Sequence, residues 1–434
     1  MTASMIGFIG IIALFVLLII RIPVAFAMFV VGFFGITALD SSRSAFALLA
    51  SEAFTLGSSP QLVVVPLFIL MGNVASVTGM SRRLYDAAYA LIGEFRGGLA
   101  SATVIGCGGF AALSGSSVAS ALTMGKVALA EMNRYDYDPR LSTGVVAAGG
   151  TLGILIPPST GFVIYAILTE QSIGRLFLAG VLPGILLLLL FIVAIMVICT
   201  FRPGFGPAGP KTTFPKKLRA LAGALPIVGV ILLTIGGIYG GFFSPVEASA
   251  VGAGVVILIG VITRSLSLRQ FWEAAKDSVT TTAAVMLILI AAHLINPFIA
   301  LSHIPDAVGE FIIGFGLGKI GTLILILSIY LILGCFLEGF AMLVLTLPIF
   351  FPIILELGID PIWFGVLVVL ALEMGLISPP VGLNAFIVKS VAPKVPLADI
   401  FRGVVPFWGM MVVAIGILIA FPQISLILPD TMFN

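Results

Sequence analysis

Charged residues are scarce in this sequence. Of its 434 residues only 9% are Asp, Glu, Lys or Arg, about a third of the usual share, whereas 60% are hydrophobic. This scarcity excludes a water-soluble globular protein, because too little polar surface would remain to face water. The longest polar interval spans only about residues 201–219, so we expect no soluble domain.

Cysteine and histidine are also too few to form a recognisable motif. The three cysteines, Cys107, Cys199 and Cys335, are widely spaced within apolar runs. We therefore expect neither a disulfide framework nor a transition-metal site. Because there is no HExxH motif and no paired acid and base at helical spacing, an intramembrane enzyme is disfavoured. The chain is expected to be no enzyme, to hold no organic cofactor and to bind no nucleic acid.

Long apolar segments dominate the sequence instead. Roughly 20 apolar residues cross about 30 Å of hydrocarbon as a helix, so the sequence predicts an all-α polytopic membrane protein in a lipid bilayer. Two longer segments, about 99–131 and 320–356, are broken by small residues and are predicted to be re-entrant helical hairpins. About ten crossings are predicted near residues 5–21, 23–38, 61–79, 141–169, 175–200, 221–239, 244–263, 279–300, 361–391 and 404–421.

The positions of Lys and Arg predict the orientation. The loop at 201–219 carries five basic residues and no acid, so we place it in the cytoplasm. Tracing the chain from there keeps most other basic residues inside, provided that both long segments are hairpins. Both termini are then predicted to face outward, with the first hairpin opening to the cytoplasm and the second to the outside. Two amphipathic segments, 81–96 and 267–277, are interpreted as surface helices or as plain loop helices.

An internal repeat relates two parts of the chain. Gly153–Pro158 recurs as Gly375–Pro380, an offset of 222 from 153 to 375, and the small-residue break at Ser114–Ser117 has its counterpart at Leu337–Phe340. The crossings between the double prolines reverse the chain direction. The sequence therefore predicts an inverted-topology repeat, an arrangement that recurs in secondary transporters.

The repeat divides the chain into five predicted parts. They are N-terminal scaffold helices (1–60); a first repeat (61–200) with an arm helix, the hairpin 99–131 and the broken helix 141–169; a basic cytoplasmic loop with central scaffold helices (201–263); an inverted second repeat (264–421) with an arm helix, the hairpin 320–356 and the broken helix 361–391; and a C-terminal tail (422–434).

Each double proline must interrupt an apolar span. Proline removes a backbone donor and pushes the preceding residue out of helical geometry, so carbonyl groups before the break and amide groups after it are left free. Freed carbonyls can coordinate a cation, and the N-termini of half-helices can receive an anion. A kink that neighbours repair explains one such motif equally well, but two related copies favour a binding role.

The hairpin breaks supply complementary ligands. Ser114, Ser116 and Ser117 offer neutral oxygens, which suit Na⁺. In the second copy Glu338 places a carboxylate at membrane depth, which is expensive and usually functional. It could bind Na⁺, carry a proton or hydrogen-bond the backbone of the tip.

Two polar residues near the second break remain ambiguous. Asn384 lies just past the break and could ligate or cap. Glu373 precedes Gly375 by two residues and takes the place of Thr151 in the first copy, and a structural role is about as well supported for it.

Four segments together resemble the large membrane subunit of tripartite ATP-independent periplasmic (TRAP) transporters, of the C4-dicarboxylate and sialic-acid type. They are Pro66–Gly72, Ser114–Ala119, Gly149–Ser159 and Ser378–Asn384. The resemblance spans essentially the whole chain. It implies an elevator-type fold and Na⁺-coupled uptake of a small organic acid across the bacterial inner membrane. It also implies two partners, a small membrane subunit and a periplasmic substrate-binding protein. In that membrane the termini predicted to face outward would lie in the periplasm.

The resemblance further implies where ions bind, and we place the substrate between the two tips. The first Na⁺ site would comprise Ser114, Gly115, Ser116, Ser117, Gly153, Ile154 and Pro157. The second would comprise Glu338, Gly339, Gly375, Ser378 and Pro379. The substrate would contact Ser116, Ser117, Pro158, Ser159, Pro380 and Asn384. The family often has aspartate where Glu338 stands, so direct ligation by the longer glutamate stays open.

Two other interpretations are kept beside this one. A stand-alone divalent-anion symporter of the same superfamily, coupled to Na⁺ or H⁺, would have the fold without the partners. A channel would conduct without a coupled cycle, but an inverted repeat with buried tips suits alternating access better.

Overall fold

A computed structural model describes residues 2–432, a chain that is 82% helical and has no strand in this range. We label its helices α1 to α20 in chain order. They are Ala3–Ile19, Val24–Leu39, Ser42–Ser58, Val64–Val77, Met80–Ile92, Gly98–Ser114, Ser117–Arg134, Pro139–Leu155, Thr160–Thr169, Ile173–Phe201, Phe214–Tyr239, Pro245–Ile262, Leu268–Leu301, Ile304–Gly314, Gly318–Gly334, Gly339–Glu356, Pro361–Leu376, Leu383–Val391, Leu397–Ala420 and Gln423–Met432.

Seven helical segments of the described chain are long and apolar enough to cross a membrane, and eight if the bent pair α8 and α9 counts as one. The seven are Pro60–Val77, Ile173–Phe201, Phe214–Tyr239, Pro245–Ile262, Leu268–Leu301, Gly339–Glu356 and Leu397–Ala420. Helices such as α10 and α11 expose large apolar side chains, among them Leu189, Met196, Leu225 and Leu232. Such surfaces suit lipid, and they confirm the predicted class of all-α polytopic membrane protein.

The broken helices lie at the centre of the molecule. Every residue from Leu141 to Leu155 in α8 and from Ile362 to Leu376 in α17 is buried. Irregular backbone at membrane depth is tolerated only where protein or a cavity surrounds it. The breaks that follow these two helices therefore begin in protein rather than at a lipid-facing surface.

Helices α6 and α7 form a hairpin, in which the start of α6 and the end of α7 lie next to the same loop. Gly97 N–H, before α6, donates to the carbonyl of Gly206 (2.9 Å), and Asp138 N–H, after α7, donates to the carbonyl of Phe205 (3.0 Å). The loop between α10 and α11 thus holds both arms. Glu94 is a further anchor, accepting from Thr212 N–H of the loop (3.0 Å) and from Lys217 Nζ at the start of α11 (2.7 Å). The bonds from Lys217 and from the Thr212 backbone lower the pKa of this carboxyl.

Helices α15 and α16 form the second hairpin. Lys319 Nζ at the start of α15 donates to the carbonyl of Gly358, just after α16, at 2.6 Å. In this hairpin too, the start of the first helix and the end of the second therefore lie next to each other. The helices that follow each hairpin are interrupted, α8 from α9 at residues 156–159 and α17 from α18 at residues 377–382, and α8 and α9 meet at 40°.

Three segments differ from the sequence-based expectation or extend it. The separate helix predicted at 267–277 is wrong, because these residues are the first turns of the continuous α13. A capping box at Ser267 starts α13, and the helix contains no glycine that could end it. In the first repeat, Gly79 in a left-handed conformation (φ 73°) does separate α4 from α5. Two further helices, α3 and α20, lie in regions predicted only as scaffold and tail.

Contacts between loops sort the ends of the helices into two groups. On one side, Asp399 pairs with Arg140 (3.0 Å) and Arg402 (3.3 Å), beside the basic loop. On the other side, Arg175 pairs with Asp430 of α20 (3.0 Å). The loops predicted to be cytoplasmic thus contact one another, and the C-terminal helix lies with a loop predicted to be external.

The contact between α8 and α19 gives a stability prediction. A methyl group at Gly403 would meet the Arg140 carbonyl of α8, whereas one at Gly409 of the same helix would meet nothing within 4 Å. We expect Gly403→Ala to destabilise the protein by about 1–3 kcal/mol through overpacking. The control Gly409→Ala should be neutral or slightly stabilising, since alanine favours helix. Thermal unfolding of the detergent-purified protein measures both, and equal midpoints would contradict this packing.

Candidate functional site

The first hairpin ends in a tight turn between α6 and α7. Gly115 takes a left-handed conformation (φ 59°), which an L side chain disfavours. Ser116 then caps α7, its Oγ accepting from Ala119 N–H at 3.3 Å, and Ser114 Oγ lies 3.1 Å from Ser120 Oγ. The turn is therefore built from hydroxyl groups and backbone carbonyls in a largely buried setting, the ligand types expected for a hard monovalent cation.

This tip lies directly against the first break. Thr160 Oγ1 donates to the Gly115 carbonyl at 2.8 Å. A methyl group at Gly153 would come within 2.5 Å of the Ser116 carbonyl oxygen, and one at Gly115 within 2.5 Å of the Pro158 carbonyl oxygen. The structure thus brings together the tip and the break, as the sequence analysis had grouped them, and adds Thr160 to the group.

The first break is enclosed. Pro157, Pro158 and Ser159 are buried, and Ser159 Oγ caps α9 by accepting from Phe162 N–H at 3.2 Å. Ile154 packs against Gly161 of α9. The N-terminus of α9 therefore faces the tip with one hydroxyl already used for capping.

The second tip has a different arrangement. Glu338 caps α16, its Oε2 accepting from Ala341 N–H at 3.3 Å, and its side chain is otherwise exposed. A methyl group at Gly339 would meet the Leu372 side chain (2.6 Å), and one at Gly375 would meet the Gly334 backbone (2.6 Å). The second hairpin therefore packs on α17 just before the break, and Glu338 makes the backbone bond that was one of its three expected roles.

The second break is open where the first is closed. Pro379, Pro380 and Val381 are exposed, and Gly382 makes the turn into α18 in a left-handed conformation (φ 58°). Ser378 is buried and has two partners, since its Oγ donates to the Met374 carbonyl (2.6 Å) and accepts from Trp408 Nε1 (3.0 Å). Trp408 was not among the predicted site residues.

Two buried polar side chains lie around this break. Asn384 is fully buried, and neither its Oδ1 nor its Nδ2 has a hydrogen-bond partner among the described residues. Because Gly382, not Asn384, occupies the cap position of α18, the amide does not cap this helix. Glu373 is also fully buried, and the Ser117 hydroxyl of the first tip lies 2.7 Å from both of its carboxyl oxygens.

No Lys or Arg side chain of the described residues forms an ion pair with a carboxyl group at either junction. The ion pairs of residues 2–432 join loops and helix ends, and none includes Glu338 or Glu373. No cluster of three His, Cys, Asp or Glu side chains occurs there either. An anion at these junctions would be received by hydroxyls, amides, half-helix N-termini and any bound cation.

A pair of hairpins facing a pair of broken helices, enclosed by apolar spans, is an arrangement typical of polytopic membrane transporters. Residues 11–424 match the family model described as "Tripartite ATP-independent periplasmic transporter, DctM component", and the chain belongs to this family, the large permease subunits of TRAP transporters. The resemblance stated from four sequence segments is therefore confirmed.

Individual relatives agree with this assignment. The chain is 38% identical over 392 residues to the C4-dicarboxylate TRAP transporter large permease protein DctM of Pseudomonas aeruginosa, covering 90% of each chain. It is 31% identical to the sialic acid TRAP transporter large permease protein SiaM of Vibrio cholerae, covering 99% of this chain and 98% of the relative. The fold resembles the YdaH transporter of Alcanivorax borkumensis (TM-score 0.64, 14% identity, 89% and 90% covered).

The contact of tip and break gives a prediction for transport. Gly153→Ala places a methyl group against the Ser116 backbone, which cannot move aside as a flexible side chain would. We expect a loss of substrate uptake of about tenfold or more, as a displacement costing 1–3 kcal/mol implies. The control Gly254→Ala, on α12 with nothing within 4 Å, should retain uptake. Equal uptake by both variants in proteoliposomes would contradict a role in transport for the contact between Gly153 and Ser116.

Proposed function

We propose that this chain is the permease subunit of a TRAP system that takes up a small organic acid, drives uptake with Na⁺ and moves its substrate by an elevator mechanism. One observation carries the proposal. A hydroxyl-rich hairpin tip lies against the interrupted backbone of a buried broken helix, at the contact of Gly115 with Thr160 and of Ser116 with Gly153.

The donor chemistry of the first junction suits Na⁺. A monovalent hard cation takes neutral oxygens, and this junction offers the Ser114 and Ser116 hydroxyls together with carbonyls of the tip and of the break. The N-termini of α7 and α9 carry partial positive charge, which opposes any cation near them, so the neutral oxygens must outweigh this repulsion and a second cation would not be held. One ion held by neutral oxygens is therefore the expected occupancy of this junction.

The second junction is the counterpart in the inverted repeat. Here the expected ligands are the Glu338 and Gly339 tip with Gly375, Ser378 and Pro379. The Ser378 hydroxyl already has two partners, so an ion at this junction would rely on the Glu338 carboxyl group and carbonyl groups or would displace Trp408. This difference makes the two sites unequal, and the first is expected to bind Na⁺ more tightly.

The substrate is proposed to lie between the junctions. Asn384 contributes a buried amide without partners, and the exposed Pro379–Val381 segment leaves one approach open. Since Lys and Arg are absent from this region of the described chain, a carboxylate would be held by hydroxyls, amides and the bound Na⁺. Such a site binds an organic acid only together with its coupling ion, as symport requires.

The family suggests the remaining components. A small membrane subunit and a periplasmic substrate-binding protein are proposed as partners in the bacterial inner membrane, with both termini of this chain in the periplasm. The relatives named above are described as permeases for C4-dicarboxylates and for sialic acid, and small organic acids are the class they share. At a membrane potential of 100 mV each Na⁺ that enters supplies about 2.3 kcal/mol.

A capping serine tests the first Na⁺ site. Ser116→Ala removes the cap of α7 and a ligand, and we expect the Na⁺ concentration for half-maximal uptake to rise about tenfold. Ser172→Ala is the matched control, because Ser172 caps α10 with the same 3.3 Å bond to Arg175 N–H but lies away from both tips. A pure capping effect would lower the stability of both variants equally and leave their Na⁺ dependence unchanged.

A reconstitution experiment tests the proposed assembly and the coupling. Uptake into proteoliposomes should require a Na⁺ gradient, the small subunit and the binding protein together. Uptake by this chain alone would favour the stand-alone symporter. Uptake driven equally by H⁺ or Li⁺ gradients would contradict coupling to Na⁺, and ohmic currents would indicate a channel.

A further inference from the structure

The Ser117–Glu373 contact joins the two halves of the inverted repeat. Ser117 is the first residue of α7 in the first hairpin, and Glu373 lies near the end of α17 in the second repeat, 256 positions away. Both side chains are buried, Glu373 fully. A hydroxyl at 2.7 Å from both carboxyl oxygens is a short, strong contact, and it is the one polar contact of Glu373 among the described residues.

The contact has no counterpart in the first copy. Thr151 occupies the place of Glu373 there, and its hydroxyl donates to the carbonyl of Ala148 on its own helix at 2.6 Å. Thr151 therefore ties nothing to the second hairpin. Only one of the two copies of the repeat has this bond. The difference calls for an explanation, because a buried carboxyl group with a single partner is costly.

Electrostatic pairing does not supply that reason. The arginine side chains on helices packed against α17 have partners elsewhere: Arg140 and Arg402 with Asp399, and Arg175 with Asp430. Lys319 and Lys389 donate to backbone carbonyls. What Glu373 does contact is the first tip, so its effect must pass through Ser117.

Contacts on either side of this pair extend it into a continuous path. Next to Ser117, the Ser116 backbone lies against Gly153 in the first junction. Two residues beyond Glu373, Gly375 lies against Gly334 at the end of the first arm of the second hairpin. The path therefore runs from the first break, through Ser116, Ser117, Glu373 and Gly375, to the second hairpin.

We infer that Glu373 is a positioning residue for the first hairpin tip, and that through it closure of the first junction depends on the second broken helix. This inference deepens the proposed Na⁺ coupling and rests on it for one consequence, that the two Na⁺ sites bind cooperatively. The hydrogen bond from Ser117 carries the effect, and a neutral acceptor at position 373 preserves it.

Cysteine labelling at Val118 measures closure of the tip without reference to transport. Val118 follows Ser117 and is 41% exposed, so a Val118→Cys reporter, with Cys107, Cys199 and Cys335 replaced by alanine, reacts with a maleimide at a rate set by the tip. In Na⁺-free buffer we expect Ser117→Ala and Glu373→Leu each to raise this rate about tenfold, the effect of losing a buried bond to a carboxyl group.

The variants separate positioning from general damage. Glu373→Gln keeps the shape and an acceptor for Ser117, so its labelling rate should stay within about twofold of the reporter alone. The double variant Ser117→Ala/Glu373→Leu should react no faster than either single variant, because both remove the same bond. Additive effects, or a glutamine variant as reactive as the leucine variant, overturn the inference. Should Glu373→Leu fail to fold, Ser117→Ala and Glu373→Gln carry the same comparison.

Titration with Na⁺ then tests cooperativity. Protection of Val118→Cys should show a Hill coefficient above 1 in the reporter protein and about 1 in Glu373→Leu. An unchanged coefficient in Glu373→Leu overturns the predicted cooperativity. If Na⁺ gives no protection even in the reporter protein, the proposed Na⁺ site fails, whereas the Na⁺-free comparison still decides the role of Glu373.

Discussion

Backbone polar groups at membrane depth need partners, because hydrocarbon offers none. The breaks after α8 and α17 free several such groups, and hairpins pack against the interrupted helices. Glycine allows the hairpins to contact the helix backbone, since the Ser116 backbone lies against Gly153 and the Gly334 backbone lies against Gly375. Enclosure of α8 and α17 follows from this requirement, and so does the outer layer of long helices such as α10, α11 and α13, which present apolar faces where lipid would lie.

The two copies of the repeat satisfy that requirement to different degrees. In the first, Thr160 bonds the Gly115 carbonyl and the double proline is buried. In the second, the double proline is exposed, and Trp408 from α19 bonds Ser378 in place of a group from the hairpin tip. The two copies thus follow the same order of hairpin and broken helix but differ in their contacts.

Local chemistry explains which features could be predicted. The double prolines mark the breaks wherever they fall, and runs of small residues at 114–117 mark a tip, because both effects act within a few residues of the chain. The bond of Ser117 to Glu373 could not be read in this way, since its partners lie 256 positions apart in opposite copies. The continuity of α13 was missed because an amphipathic start suggested a separate helix, although no glycine follows to end it. Assignment to the TRAP large permease family rested on four short segments and was confirmed across residues 11–424.

The loop that joins α10 to α11 has a mechanical consequence. It bonds both arms of the first hairpin, at Gly97 and Asp138, and also carries Gly209 N–H to the Gly93 carbonyl (3.0 Å). If this hairpin moves relative to α10 or α11, the loop must move with it or these bonds must break. Each bond contributes roughly 1 kcal/mol to stability. The loop therefore tethers the hairpin to α11, because Thr212 N–H (3.0 Å) and Lys217 Nζ in the first turn of α11 (2.7 Å) both bond Glu94. Loss of this pair would lengthen the tether without touching any residue of either junction.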